Sequence, residues 1–467
     1  MSAAPPSLSA PLRSRQLLLD DCRELHRKQF LTAAQLAAFE EQVAALPSLT
    51  TPDVASASSD ASSAYGGARP EPQLALLLAQ VRALYQHELE TIIAGIREQH
   101  NQKQHDTYVT SDLLAIAAGG AMGALNAWLR PSATATPAPI PPLPAAKKAP
   151  SLWASAFDAA QASLNVVRKR RLLEHLQIKH LSGDESVCDH VLLCINGFMT
   201  QGADPTRNWG AWCGGASVAV YAVLWEAGDV DAWNDFCAHA NDHLTAPSVG
   251  AATSALLTHV SGNPWHKAQT QAEQVGALLA QVLASQPTFC RGRQVTLLGH
   301  SLGGAVIYSF FQELARLRSA PPSQQDATED ASSSECLPRI ALPPTPLVTN
   351  AVSFAGAFLP TAEGLTNVSA ALPAGGKFLN VFSARDSVLS KLFWAMQLHA
   401  SDPVAAGCTA LRFPPACAHN CRNVDVTALV PVRLTNQFGH GYAMHMDAIV
   451  RELQPHLASV YGGSAAS

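Results

Sequence analysis

The sequence predicts an α/β fold, a mainly parallel sheet with helices on both faces, preceded by a helical N-terminal region. Three observations carry that expectation. From about residue 188, short apolar runs alternate with longer helix-like ones. One junction, Leu298-Gly299-His300-Ser301-Leu302-Gly303-Gly304, is a strand-to-helix turn. The residues before about 185 carry amphipathic helical patterns broken by Pro/Ser/Ala/Gly-rich stretches.

In the N-terminal region, 1–185, Thr32 is the expected N-cap of an amphipathic helix over 33–43. Residues 47–72 read as a disordered loop, and a second helix is expected over about 73–98. The run 113–129 is free of charge and contains Gly119-x-x-x-Gly123. At ~1.5 Å per residue it reaches only ~25 Å, short of a ~30 Å hydrocarbon core. It is therefore read as a buried or interfacial helix ahead of a true span, and as a candidate membrane-associated segment. A stiff proline-rich linker follows at 131–150. Arg168-Lys169-Arg170-Arg171 reads as a solvated helix face ahead of a contact with anionic lipid.

Residues 186–467 are expected to form the α/β domain. Strands are expected at 191–195, 219–225, 294–298, 347–358 and 377–383, with helices at 265–285, 305–314 and 442–453. The Pro/Ser/Asp-rich insert 318–346 reads as disordered surface length.

The bulk numbers bound the function. The chain has 467 residues, 48% hydrophobic and only 14% charged, with a formal net charge of -5. That balance suits a large buried core or membrane contact and gives no reason to expect nucleic acid as a partner. The ten cysteines are scattered, several inside apolar runs, and read as reduced core residues of an intracellular protein. The first residues lack the apolar core of a secretory signal. Cys408, Cys417, His419 and Cys421 could supply zinc ligands, but the Cys417-x-His419-x-Cys421 spacing is tight for the task. A cysteine-rich loop is the preferred reading, and neither metal nor cofactor is assigned.

The turn at Ser301 carries chemistry. Gly299-x-Ser301-x-Gly303 between a strand and a helix is the pattern of a nucleophile elbow, in which a strained turn lifts a serine Oγ above the sheet of an α/β-hydrolase fold. A serine needs a base, and the base an orienting carboxylate, in the chain order Ser, Asp/Glu, His. The acid should follow the second strand after the elbow, which selects Asp386 over the weaker Asp402 and Asp425. The lesser reading of Asp386 is a helix N-cap for Ser387-Val388-Leu389. The base should lie in a loop before the last helix, which selects His440, between two glycines, over His445 and His419. The oxyanion hole is expected from the amides of Leu302, after the nucleophile, and of Phe198, in the loop after 191–195.

Several blocks in the same order resemble one family. They are Asn196-Gly197-Phe198, Tyr221-Ala222-Val223-Leu224-Trp225-Glu226, Asn263-Pro264-Trp265, the elbow, and Asn423-Val424-Asp425-Val426-Thr427 ahead of Gly439-His440-Gly441-Tyr442. Together they make residues 188–455 similar to the domain-of-unknown-function 726 family, of the transmembrane and coiled-coil domain-containing type. The resemblance implies an α/β-hydrolase fold, a helical N-terminal region and membrane association, and it supplies no substrate. Gly303-Gly304-Ala305 and His300 depart from that family's elbow toward the lipase pattern. The sequence thus leads to a lipase- or esterase-like serine hydrolase acting on a lipid or acyl ester, with a membrane surface as a candidate partner. The alternative is a membrane-associated binding or trafficking protein that uses the fold as a scaffold.

Overall fold

A computed structural model describes residues 10–45, 72–106, 172–185, 188–213, 218–228, 230–235, 264–319, 342–343, 345–393, 404–433, 436, 438–457 and 460. The segment 113–129, the linker 131–150, the basic run at 168–171, most of the insert 318–346, Asp402, and all of 47–72 except Pro72 lie outside these residues. The chain divides into two compact units. One comprises Met1–Ile96, His175–Asp229 and Ala272–Ser467, and the other Arg97–Glu174 and Val230–Gln271.

The first described helices are α1 (Ala10–Arg27), α2 (Ala33–Ala45) and α3 (Pro72–Asp106). The start of α2 has a local cause. Thr32 Oγ1 accepts from Gln35 N at 3.2 Å while Gln35 Oε1 accepts from Thr32 N at 2.9 Å, a reciprocal capping box.

The sheet has seven strands in the order β1-β3-β2-β4-β5-β6-β7, with β1 (Leu176–Ser182), β2 (His190–Ile195), β3 (Val218–Trp225), β4 (Gln294–His300), β5 (Asn350–Phe354), β6 (Lys377–Phe382) and β7 (Cys421–Asp425). Among the described residues only β1 runs antiparallel, against β3. Strands β2 and β5 are buried at every position, which explains their continuous apolar runs: both faces of a parallel sheet are covered. Between and after the strands come the short helix α4 (Thr206–Trp209), α5 (Pro264–Ala284), α6 (Leu302–Ser319), α7 (Ala362–Ala371) and α8 (Met446–Leu453).

Several elements differ from the sequence reading: β7 and α7 stand where no element is expected. Strand β1 lies inside the stretch read as helical; its alternating burial marks it as a half-covered edge strand. Strand β5 is shorter than expected, because the chain leaves the sheet at Ala355, where φ is 47°.

The strand order positions a site. The chain passes from β2 to β3 on one side, then crosses back to place β4 on the other side of β2. Such a reversal opens a crevice beyond the carboxyl ends of the two diverging strands. The residues there are Asn196-Gly197-Phe198 after β2 and Ser301 after β4.

The opposite end of the sheet is tied to the N-terminal helices by a buried ionic network. Arg293, just before β4, donates to Asp21 of α1 at 2.7 Å and to the Glu185 carbonyl at 2.9 Å. Tyr85 of α3 donates to Asp21, and Tyr221 of β3 donates to Glu185, which also takes Arg82 at 2.9 Å. Burial alone would raise Glu185, but the hydrogen bonds and charge of Arg82 outweigh it and hold the carboxyl below its ordinary range.

Candidate active site

Ser301 sits between β4 and α6 with φ at 57°, a left-handed conformation that costs a non-glycine residue about 1–3 kcal/mol. Its backbone is held from three sides. Ser301 N donates to Phe354 O at 2.9 Å, and Ser301 O accepts from Gly304 N and Ala357 N, both at 3.0 Å. The flanking glycines answer to space. A Cβ at Gly303 would lie 2.1 Å from Ile195 O, and one at Gly299 2.3 Å from Gly303 O. Helix α6 can therefore start directly over β2 only because no side chain intervenes.

Gly197 brings the β2 loop onto the same turn. A Cβ there would stand 2.5 Å from Ser301 Cβ and 2.9 Å from Leu302 N. The loop is anchored by Asn196, whose Oδ1 accepts from Asn208 Nδ2 at 2.9 Å and Trp209 Nε1 at 2.8 Å, while its carbonyl accepts from Trp225 Nε1. The first amide of α6 and the Phe198 segment thus lie on either side of Gly197. The Phe198 ring rests on Gly228, where a Cβ would be 2.8 Å from Cε2.

Asp386 follows β6 and is fully buried. Its two oxygens divide the two roles read from the sequence: Oδ1 accepts from Leu389 N at 3.0 Å as a cap, and Oδ2 accepts from His440 Nδ1 at 2.7 Å. Since a carboxylate only accepts, His440 carries its proton on Nδ1, which leaves Nε2 as the basic nitrogen. The His440 loop is shaped by Asn436, whose Oδ1 accepts from Gly441 N at 2.9 Å, and by Gly439, whose φ of 67° brings it against Arg385 O.

His300 connects the two halves. Its ring lies 4.9 Å from that of His440 and 5.6 Å from that of Tyr442, and its Nε2 is 3.2 Å from the His440 carbonyl. Among the described residues no hydrogen bond links Ser301 Oγ to His440.

The other sequence candidates stand apart. Asp425 is exposed at the end of β7 and caps its own turn through Thr427 N. His445 lies in a 3-10 turn ahead of α8, and His419 Nδ1 contacts Ala416 O. Among the described residues no three His, Cys, Asp or Glu side chains gather as a metal-binding group. Cys408 Sγ contacts Asp386 O and Cys417 Sγ contacts Leu365 O. Burial, then the Asp386 charge, pushes the Cys408 thiol up to about 12, which favours its protonated form. No helix among the described residues is long and apolar enough to cross a membrane.

Two contributors were not named from the sequence as site residues: Asn196 and Asn436, which hold the two loops. Their signal was their place in the runs Asn196-Gly197-Phe198 and Asn436-Gln437-Phe438-Gly439-His440.

Fold and site together define an α/β protein with a mostly parallel sheet and a serine on a strained strand-to-helix turn at the sheet's switch point. Residues 241–320, which include that turn, match the family described as "Protein of unknown function (DUF726)". Over this stretch the chain is similar to that family. No curated protein matches the chain.

Proposed function

We propose that this protein is a serine hydrolase that cleaves an acyl ester through Ser301, His440 and Asp386. The observation that carries the reading is the Asp386–His440 pair at 2.7 Å, with His440 packed on the residue preceding a serine of positive φ. In this reading the fold is an α/β-hydrolase fold, and the ordered sequence blocks relate it to the transmembrane and coiled-coil domain-containing type.

The chemistry follows from the parts. His440 Nε2 takes the Ser301 proton as Oγ attacks the ester carbonyl. The amides of Leu302 and Phe198 receive the oxyanion. His440 returns the proton to the leaving alcohol, and water, activated by the same nitrogen, then releases the acid from the acyl-enzyme. Asp386 keeps the imidazole in the tautomer this requires.

An apolar acyl group suits the surroundings. Phe438 and Met444 are 62% and 56% exposed, and Met199, after Phe198, is 39% exposed. Val432 and Met444 pack on the glycines beside His440. Exposed apolar groups around a polar site favour a lipid-like ester over a small polar one.

Labelling with a fluorophosphonate probe tests the proposal. The wild type is expected to be labelled at Ser301, and Ser301→Ala to lose both labelling and esterase activity with an unchanged circular dichroism spectrum. Labelling that persists in Ser301→Ala removes Ser301 as nucleophile. Absence of any labelling in the folded wild type favours the scaffold reading.

A further inference from the structure

We infer that His300 is a positioning residue for the general base: its Nε2–H holds the His440 carbonyl, and its neutral ring supports the His440 imidazole above Ser301. The inference rests on the Ser301–His440–Asp386 reading.

The geometry assigns the proton. His300 Nε2 lies 3.2 Å from the His440 carbonyl oxygen, which can only accept, so His300 must donate from Nε2. Asn436 and the Tyr442 amide, which also donates to the His440 carbonyl at 3.0 Å, shape the loop from within, and His300 ties it to the strand that carries Ser301. Gly439 and Gly441 flank His440, and glycines leave the backbone many conformations. Asp386 fixes the ring of His440 from one side through Nδ1, but it does not fix the backbone height. His300 does so from the other side, and as the residue before Ser301 it measures that height from the nucleophile's own strand. A 1 Å misplacement of a catalytic group can cost on the order of 10²-fold in rate.

The ring must also stay uncharged. During attack His440 becomes an imidazolium, and a second cation at a ring distance of 4.9 Å would oppose it. The groups packed around His300 arrange this. Burial, then the neighbouring His440, pushes His300 down to about 3, with only the His440 carbonyl pulling it upward. Tyr442, the other ring against it, is itself driven further from ionising by its burial. A lysine at position 300 could reach the same carbonyl but would bring the charge.

The test uses the full-length protein and three variants, His300→Phe, His300→Gln and His300→Lys. Each is measured for probe-labelling rate against pH and for kcat and KM on a short-chain acyl ester. His300→Phe keeps the ring without the donor. One lost hydrogen bond of about 0.5–1.5 kcal/mol corresponds to a fall in kcat of roughly 2- to 10-fold, with KM unchanged. His300→Gln, a neutral donor, is expected to restore most of the rate. His300→Lys is expected to lower kcat further and to move the acid limb of the pH profile to lower pH, since a fixed cation disfavours protonated His440. Three variants with wild-type rate and profile would overturn the inference, as would Gln and Phe losing equal activity, or losses that track a lowered melting temperature. Should His300→Phe fail to fold, the Gln and Lys profiles decide between the same outcomes. Ser301→Ala run in parallel separates the two failures: labelling at Ser301 that ignores residue 300 sinks only the role of His300, whereas labelling that survives Ser301→Ala sinks the triad.

Discussion

His440 and His445 stand five positions apart in the sequence, yet they meet different surroundings. His440 Nδ1 donates to the buried Asp386, whereas His445 is half-buried in a 3-10 turn whose contact is its backbone amide on Tyr442 O. Each is an alternative base from sequence alone. The carboxylate decides, because an imidazole without an orienting acceptor samples both tautomers. We therefore expect His440→Ala to lower kcat/KM by a factor on the order of 10⁴, and His445→Ala to change it by no more than a few-fold. Steady-state kinetics on one ester, with both variants checked for folding, measures the difference. A larger loss at His445 would reassign the base.

At the scale of an element, β4 is held at both ends by different chemistry. Its carboxyl end carries His300 and Ser301. At its amino end, Arg293 is nearly inaccessible and bonded to Asp21 of α1. For Asp21 burial outweighs Arg293 and Tyr85 and raises the carboxyl, so this pair sits where charge is costly. Removing one partner leaves the other uncompensated. Arg293→Met is expected to destabilise the fold by about 3–5 kcal/mol, seen as a lower denaturation midpoint in urea. The double variant Arg293→Met, Asp21→Leu should recover part of the loss, because replacing both charges removes the desolvation penalty along with the attraction. A double variant less stable than Arg293→Met would show that the unpaired Asp21 charge is not the source of the loss.

For the molecule as a whole, acid should act partly through the site itself. A histidine in the unfolded chain takes its proton near about pH 6.5, whereas folded His300 does so only near about 3. The unfolded state therefore binds the proton first. The stability that neutral His300 supplies is fully present above the unfolded value and is lost as pH falls from there toward the folded one. His180, lowered by its burial, adds in the same direction. Glu185 adds at lower pH, since its carboxyl is held below the ordinary range. Asp21 and Glu273, both raised by burial, act in the opposite direction, because the folded state takes up their protons first. The melting temperature is expected to fall below about pH 6.5, and less steeply in His300→Gln. Melting curves of both proteins from pH 7.5 to pH 4 would check this; parallel slopes would show that His300 does not carry the linkage.

Much of this molecule is local in origin and was legible in the sequence. Thr32 and Gln35 cap α2 three residues apart, and the apolar runs of β2, β3, β4 and β6 declare strands buried on both faces. The glycines around Ser301 mark a turn where two backbones approach, because their cause lies within a few residues of them. Tertiary structure decided what depends on separation. Asp386 and His440 meet across 54 positions, Gly197 comes onto the Ser301 turn from beyond another strand, and His300 finds the His440 carbonyl across 140 positions. The edge strands β1 and β7 were not legible because a strand with one covered face has only a weak alternating pattern. The cysteine-rich run shows the same limit: its spacing left a zinc site open, and the fold turned Cys408 toward Asp386 and Cys417 toward Leu365. Short-range pattern sets which elements form. Which of their side chains face one another is set by the strand order and by the burial it enforces, and neither is written in any one stretch of the chain.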